Sequence, residues 1–120
     1  MDSSITPPSP AKVPTAFAVR LKDADALWAA GRFDEARLAY EAIVADNPGS
    51  AAALCRLGDI RLRQGEIEAA HSDFLTASAV MPDSPWPHVG LGKIAEARGT
   101  LEEAITHFSR ALGLRPDLSA

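Results

Sequence analysis

The chain of 120 residues is poor in several things, and each shortage removes a class of function. It has one cysteine, Cys55, so neither an internal disulfide nor a cysteine-based zinc site is open to it. Aromatic residues make up only 6%, too few for the bulky core of a sandwich or barrel. Basic residues are outnumbered, 12 Lys and Arg against 16 Asp and Glu. The net charge of −4 argues against general attraction to nucleic acid or to anionic membranes, both of which need clustered cations. No apolar run approaches the roughly 18 residues of a membrane span, and the N-terminus lacks the basic region and apolar core of a secretion signal. The glycines stand singly, so no phosphate-cradling loop and no cofactor is expected. A soluble, cytoplasmic protein is the expectation these shortages leave.

What is present points to thin, closely packed helices. Apolar residues make up 47%, and alanine alone supplies 23 residues. The opening MDSSITPPSPAKVPT holds four of the nine prolines and reads as a flexible tail over residues 1–15. Its PPSP reads as solvated leader rather than as a polyproline docking peptide.

From Phe17 onward the chain divides into blocks of 34: 17–50, 51–84 and 85–118. GRFDEA at Gly31 returns as GEIEAA at Gly65 and as GTLEEA at Gly99. The second and third blocks share ten residues in register, among them Leu57/Leu91, Gly58/Gly92, Gly65/Gly99, Ala70/Ala104, Phe74/Phe108 and Pro82/Pro116. In each block an apolar stripe at three- and four-residue spacing runs to a glycine, and a second stripe runs to a proline. Ser50 and Ser84-Pro85 read as helix starts, and Thr100 with Glu103 as a capping box. Gly58 and Gly92 are expected where helices approach closely, with Tyr40, Phe74 and Phe108 filling the spaces between helix pairs.

A 34-residue helix-turn-helix unit with Leu-Gly in its first helix, Gly at the turn, then Ala, aromatic, Ala and a closing Pro resembles the tetratricopeptide repeat. The resemblance spans 102 of the 120 residues. It implies an all-α fold, an α-α superhelix of three repeats and six main helices over residues 16–120, with the first helix of each pair lining a concave groove. The first repeat departs most, at Arg20, Asp23 and Ile43. The resemblance also implies a final polar-faced helix, which is not evident after PDLSA. Ile105, Phe108 and Leu112 on the last helix are therefore expected to be partly exposed, available to a further repeat, a partner or a second copy.

Projected on a helical wheel, the groove side carries Leu21, Asp25 and Trp28 from the first repeat. The second contributes Cys55, Arg56, Asp59 and Arg63, and the third Trp86, Val89 and Lys93. Trp28 and Trp86 are candidate anchors for a peptide or helix, with Arg56, Arg63 and Lys93 as charge contacts. Local packing of both tryptophans on neighbouring helices is the alternative. The family's clamp for chaperone C-terminal carboxylates does not carry over, because its positions hold Leu21, Asp25, Arg56, Trp86 and Gly90. No catalytic or metal constellation stands out: His71, His88 and His107 fall on different helices and read as surface or groove residues, and no histidine is placed to activate Cys55. Two functions follow as expectations: a non-catalytic protein-interaction scaffold, or the N-terminal module of a larger enzyme such as a transferase.

Overall fold

A computed structural model describes residues 16–114; the proline-rich leader and the closing PDLSA lie outside them. The described residues form six helices and no strand: α1 Ala16–Ala29, α2 Phe33–Asp46, α3 Ala51–Arg63, α4 Ile67–Val80, α5 Trp86–Arg98 and α6 Leu101–Leu114. Second helices begin at 33, 67 and 101, keeping the 34-residue period. Each helix packs on the next along the chain, and α3 also touches α5, so the first helices form one layer and the second helices another.

The recurring glycine acts through its backbone. Gly31, Gly65 and Gly99 adopt φ of +80°, +83° and +79°, the left-handed region that costs a residue with a Cβ about 1 kcal/mol. This lets the next residue's N–H turn back to a carbonyl five residues earlier, and the bond recurs in all three repeats: Arg32 to Leu27, Glu66 to Arg61 and Thr100 to Ala95, at 3.0, 2.8 and 2.9 Å. Only part of the expected capping is found. Ser50 Oγ accepts from the Ala53 N–H at 3.3 Å. Ser84 does not cap α5, which starts from Pro85 in helical conformation without a side-chain cap. The Thr100 hydroxyl turns back to donate to the Ala95 carbonyl at 3.1 Å and to Glu103 Oε1 at 3.4 Å, so the capping box does not form.

The core runs through the repeats as linked clusters. Ala24, Ala36, Tyr40, Ile43, Ala53, Leu57 and Ile60 form the first, and Ala70, Phe74, Leu91 and Ile94 the second. Phe74 lies between two helices that are both bare at the point of contact. A Cβ on Gly58 would stand 2.9 Å from its ring and one on Gly90 only 2.3 Å. Gly92 does the same for Phe108, at 2.6 Å. Gly58 and Gly92 therefore play the contact role read from the repeat, and Gly90 makes a tighter approach than either.

The junction between the first and second repeats also holds a part-buried ionic cluster. Arg61 of α3 reaches Asp73 of α4 at 2.9 Å and Glu41 of α2 at 3.4 Å, and Glu41 pairs with Arg37. Burial raises the Asp73 carboxyl pKa, outweighing the pull of Arg61. The departures in α1 carry no buried charge: Arg20 pairs with Asp46 at 2.6 Å and Asp23 is exposed. At the other end of the stack, Ile105 is 64% exposed and Leu112 40%, with Phe108 half-buried and Leu101 also open at 65%. Tyr40 and Phe74, equivalent to Phe108 in the earlier repeats, are buried because α3 and α5 cover them.

Candidate functional site

The first helices α1, α3 and α5 wall a cleft of about 740 Å³. A regular 3.6-residue turn puts residues three and four apart on one stripe, and the cleft walls follow that rule. Cys55, Asp59 and Arg63 come from α3, with Arg56 beside them, and Trp86, Val89, Gly90 and Lys93 come from α5. Asp25 and Trp28 are the contribution of α1. Nine of the ten residues projected onto this side thus line the cleft. Leu21 does not; it packs against the first core cluster beside Phe17 and Leu27. It shares a stripe with Asp25 and Trp28 but lies one turn nearer the start of α1, and the cleft lining begins at Asp25.

The two tryptophans have different surroundings. Trp28 is half-buried against the first core cluster, and the Arg56 guanidinium lies 4.2 Å over its ring. Its indole nitrogen is buried with no hydrogen-bond partner among the described residues. Local packing, the alternative for both rings, is what Trp28 does. Trp86, at the start of α5, is 50% exposed and faces the cleft with Met81, itself 52% exposed.

The cleft floor comes from a second helix. Phe74 of α4 passes between α3 and α5, where the bare backbones of Gly58 and Gly90 admit it, and its ring lines the cleft. The equivalent Tyr40 reaches between α1 and α3, and its hydroxyl donates to Asp25 Oδ1. Burial, then the Asp25 contact, raises the Tyr40 pKa and holds it as a neutral donor. Sequence reading assigned Phe74 to the core only and missed Gly90 and Met81 as lining residues. Gly90 lies four residues after Trp86 and three before Lys93, a spacing that signals its place. Met81 follows the end of α4, where no helical wheel applies.

Charge in the cleft is paired but unequally. Arg56 Nε stands 3.7 Å from Asp25, which already accepts from Tyr40. Asp59, 18% exposed, takes both Arg63 at 3.1 Å and Lys93 at 3.7 Å. Three cations therefore share two carboxylates, and the cation side chains remain 44%, 53% and 48% exposed for Arg56, Arg63 and Lys93. A third carboxylate, Asp83, lines the cleft from the turn before α5; it is exposed and pairs with none of the three cations.

The one thiol among the described cleft residues is held protonated. Burial pushes the Cys55 thiol up to about 11, against the opposing pull of Arg56, so it stays protonated at neutral pH. His88 and His107 meet away from the cleft, with Nδ1 atoms 3.4 Å apart and rings stacked at 5.7 Å between centroids. His88 is buried rather than at the surface or groove, and burial, then His107 and Arg110, lower its pKa. Among the described residues no three or more His, Cys, Asp or Glu side chains gather as metal ligands.

Comparisons with known proteins agree with this architecture. The tetratricopeptide repeat model matches residues 21–85 and 74–119, and the chain belongs to that family. No curated protein sequence matches it. Among solved structures, the TPR domain of Arabidopsis OM64 is similar with a TM-score of 0.79 and 20% identity, over 85% of this chain and 84% of that one. The first TPR domain of Spaghetti (RPAP3), solved bound to an HSP90 peptide, gives 0.78 and 22%, over 87% and 82%. A Thermobaculum terrenum O-GlcNAc transferase gives 0.78 and 28%, over 88% of this chain but only 21% of the transferase.

Proposed function

We propose that the chain is a non-catalytic protein-interaction module that holds a peptide or helix in the groove formed by α1, α3 and α5. One observation carries this reading: half-exposed Trp86 and Met81 form an open apolar end of the cleft, and at its other end exposed Arg63 and Lys93 share the single carboxylate of Asp59. A large exposed aromatic beside an apolar floor is the usual anchor of a binding surface. The solved RPAP3 domain supports peptide holding as something this fold does. The HSP90 peptide is not carried over, because Leu21 is committed to the core and Arg56 to Trp28 and Asp25. A cytoplasmic setting belongs to the proposal; the single free Cys55 is compatible with a reducing compartment.

The test is affinity capture with the native chain beside the Arg63→Glu, Trp86→Ala double variant, followed by direct binding of whatever is captured. Recovery of the same proteins by both chains would show that the groove assignment is wrong.

A second reading, that the module serves a larger enzyme, is favoured by the O-GlcNAc transferase, which carries a comparable stretch within a much longer chain. The gene sequence past Ala120 decides it, since a catalytic domain there would displace the free-standing scaffold. Self-association through Ile105, Phe108 and Leu112 is proposed as a separate contact of the same module. A mass in light scattering that does not rise with concentration would count against it.

A further inference from the structure

We infer that the partner of the groove is an amphipathic segment whose apolar face is flanked by carboxylates. The inference rests on the groove being a peptide site and adds the chemistry that site selects. It follows from how the cleft divides along its walls. On α5, Trp86 and Lys93 are seven residues apart on one stripe, about 10 Å along the helix axis. The end near Trp86 presents the apolar surfaces of Trp86 and Met81 over nearly covered Phe74, with Asp83 as its one charged side chain among the described residues. The other end is ionic, with Arg63 and Lys93 converging on Asp59.

At the Lys93 end the carboxylates are taken up and the cations are not; the one unpaired carboxylate among the described cleft residues, Asp83, lies in the turn before α5, at the Trp86 end. Asp59 is largely buried beneath its two cations, and Asp25 already holds the Tyr40 hydroxyl and Arg56. A basic group arriving at this end meets exposed guanidinium and ammonium groups before it meets a carboxylate. An acidic group completes the charge that Asp59 shares between two partners. The preference is local, since the chain as a whole carries −4 and repels an acidic peptide at long range. It is therefore a contact effect within the cleft, where short-range pairing outlasts screening by salt. An apolar side chain over Phe74 and Trp86, with a carboxylate about 10 Å away, corresponds to an i, i+7 pair on a helix.

The experiment uses the full chain and three synthetic helical peptides of equal length with one common apolar face, their flanks carrying Glu, Gln or Lys. Binding is read by Trp86 fluorescence and by calorimetry. The Glu peptide is expected to bind about tenfold tighter than the Gln peptide, with the Lys peptide weakest. In the Arg63→Gln, Lys93→Gln variant that order should collapse to equality, with binding through the apolar face retained. Equal binding of all three peptides to the native chain, or tightest binding of the Lys peptide, overturns the acidic preference and leaves the groove reading standing. An acidic preference that survives in the variant overturns the assignment to these two cations. If none of the three binds, the groove reading falls as well. Should the variant lose its helical circular dichroism, the three-peptide series on the native chain decides alone.

Discussion

Replacing Gly90 with alanine tests the packing that shapes the cleft floor. In the middle of a helix this exchange ordinarily stabilises by about 1 kcal/mol, because alanine loses less backbone entropy on folding. At Gly90 the new Cβ would stand 2.3 Å from the Phe74 ring, well inside contact distance. The ring has no easy retreat: it is 2% exposed, and on its other side the Gly58 site leaves it no slack, since a Cβ there would already be at 2.9 Å. Forcing one carbon into such a core costs about 1 to 3 kcal/mol, and so short an approach falls toward the upper end, so the clash outweighs the helix gain by up to about 2 kcal/mol. The internal control is Gly113, also helical, where an added Cβ meets nothing within 4 Å. There the propensity gain is unopposed, and Gly113→Ala should stabilise by about 0.5 to 1 kcal/mol. Urea unfolding followed by circular dichroism reads both. Adding Phe74→Leu to Gly90→Ala should recover part of the loss, giving a coupling that a double-mutant cycle resolves. A Gly90→Ala protein as stable as the native chain, with no coupling to Phe74, would refute the packing argument.

Other perturbations have different signs. Asp73→Leu leaves part-buried Arg61 with only Glu41 at 3.4 Å and should cost about 1 to 2 kcal/mol, whereas Asp46→Ala, which breaks only the exposed pair with Arg20, should cost less than about 1 kcal/mol in the same assay. The pKa of His88 is lowered by burial, then by His107 and Arg110, so the unfolded chain binds more protons. Stability should therefore fall as pH drops through and below the ordinary histidine range, and a His88→Phe variant should flatten that slope in pH-dependent melting. Acrylamide should quench the emission of Trp86, half-exposed in the cleft, more than that of Trp28 beneath Arg56; stronger quenching in the Trp86→Phe variant than in Trp28→Phe would contradict those environments.

Much of the cleft was legible from helix geometry alone. Once the 34-residue period fixes where first helices lie, a 3.6-residue turn decides which side chains share a face, and Cys55, Asp59 and Arg63 follow from one another. The wheel gave the right stripe at Leu21 but not where along it the cleft begins, which depends on how far α3 extends beside α1. It failed at Phe74 because a second-helix side chain reaches the cleft between two first helices, a path that depends on the missing Cβ atoms of Gly58 and Gly90 together. Ser84 and Thr100 were read as caps from residue type, yet the tight turns gave Thr100 a nearer acceptor in Ala95 and gave α5 a start without a side-chain cap.

The sequence by itself determined the repeat, the helix ends and the family, because these depend on local rules: where glycine must take positive φ, where proline stops a helix, where a stripe recurs. Tertiary structure alone decided which tryptophan is open and which cations remain available. Both depend on what a side chain meets across a helix junction. Trp28 lies beneath Arg56 and Trp86 does not, and Asp59, paired with Arg63 one turn away on its own helix, also meets Lys93 of α5; the Arg56–Trp28 and Asp59–Lys93 contacts join residues far apart along the chain.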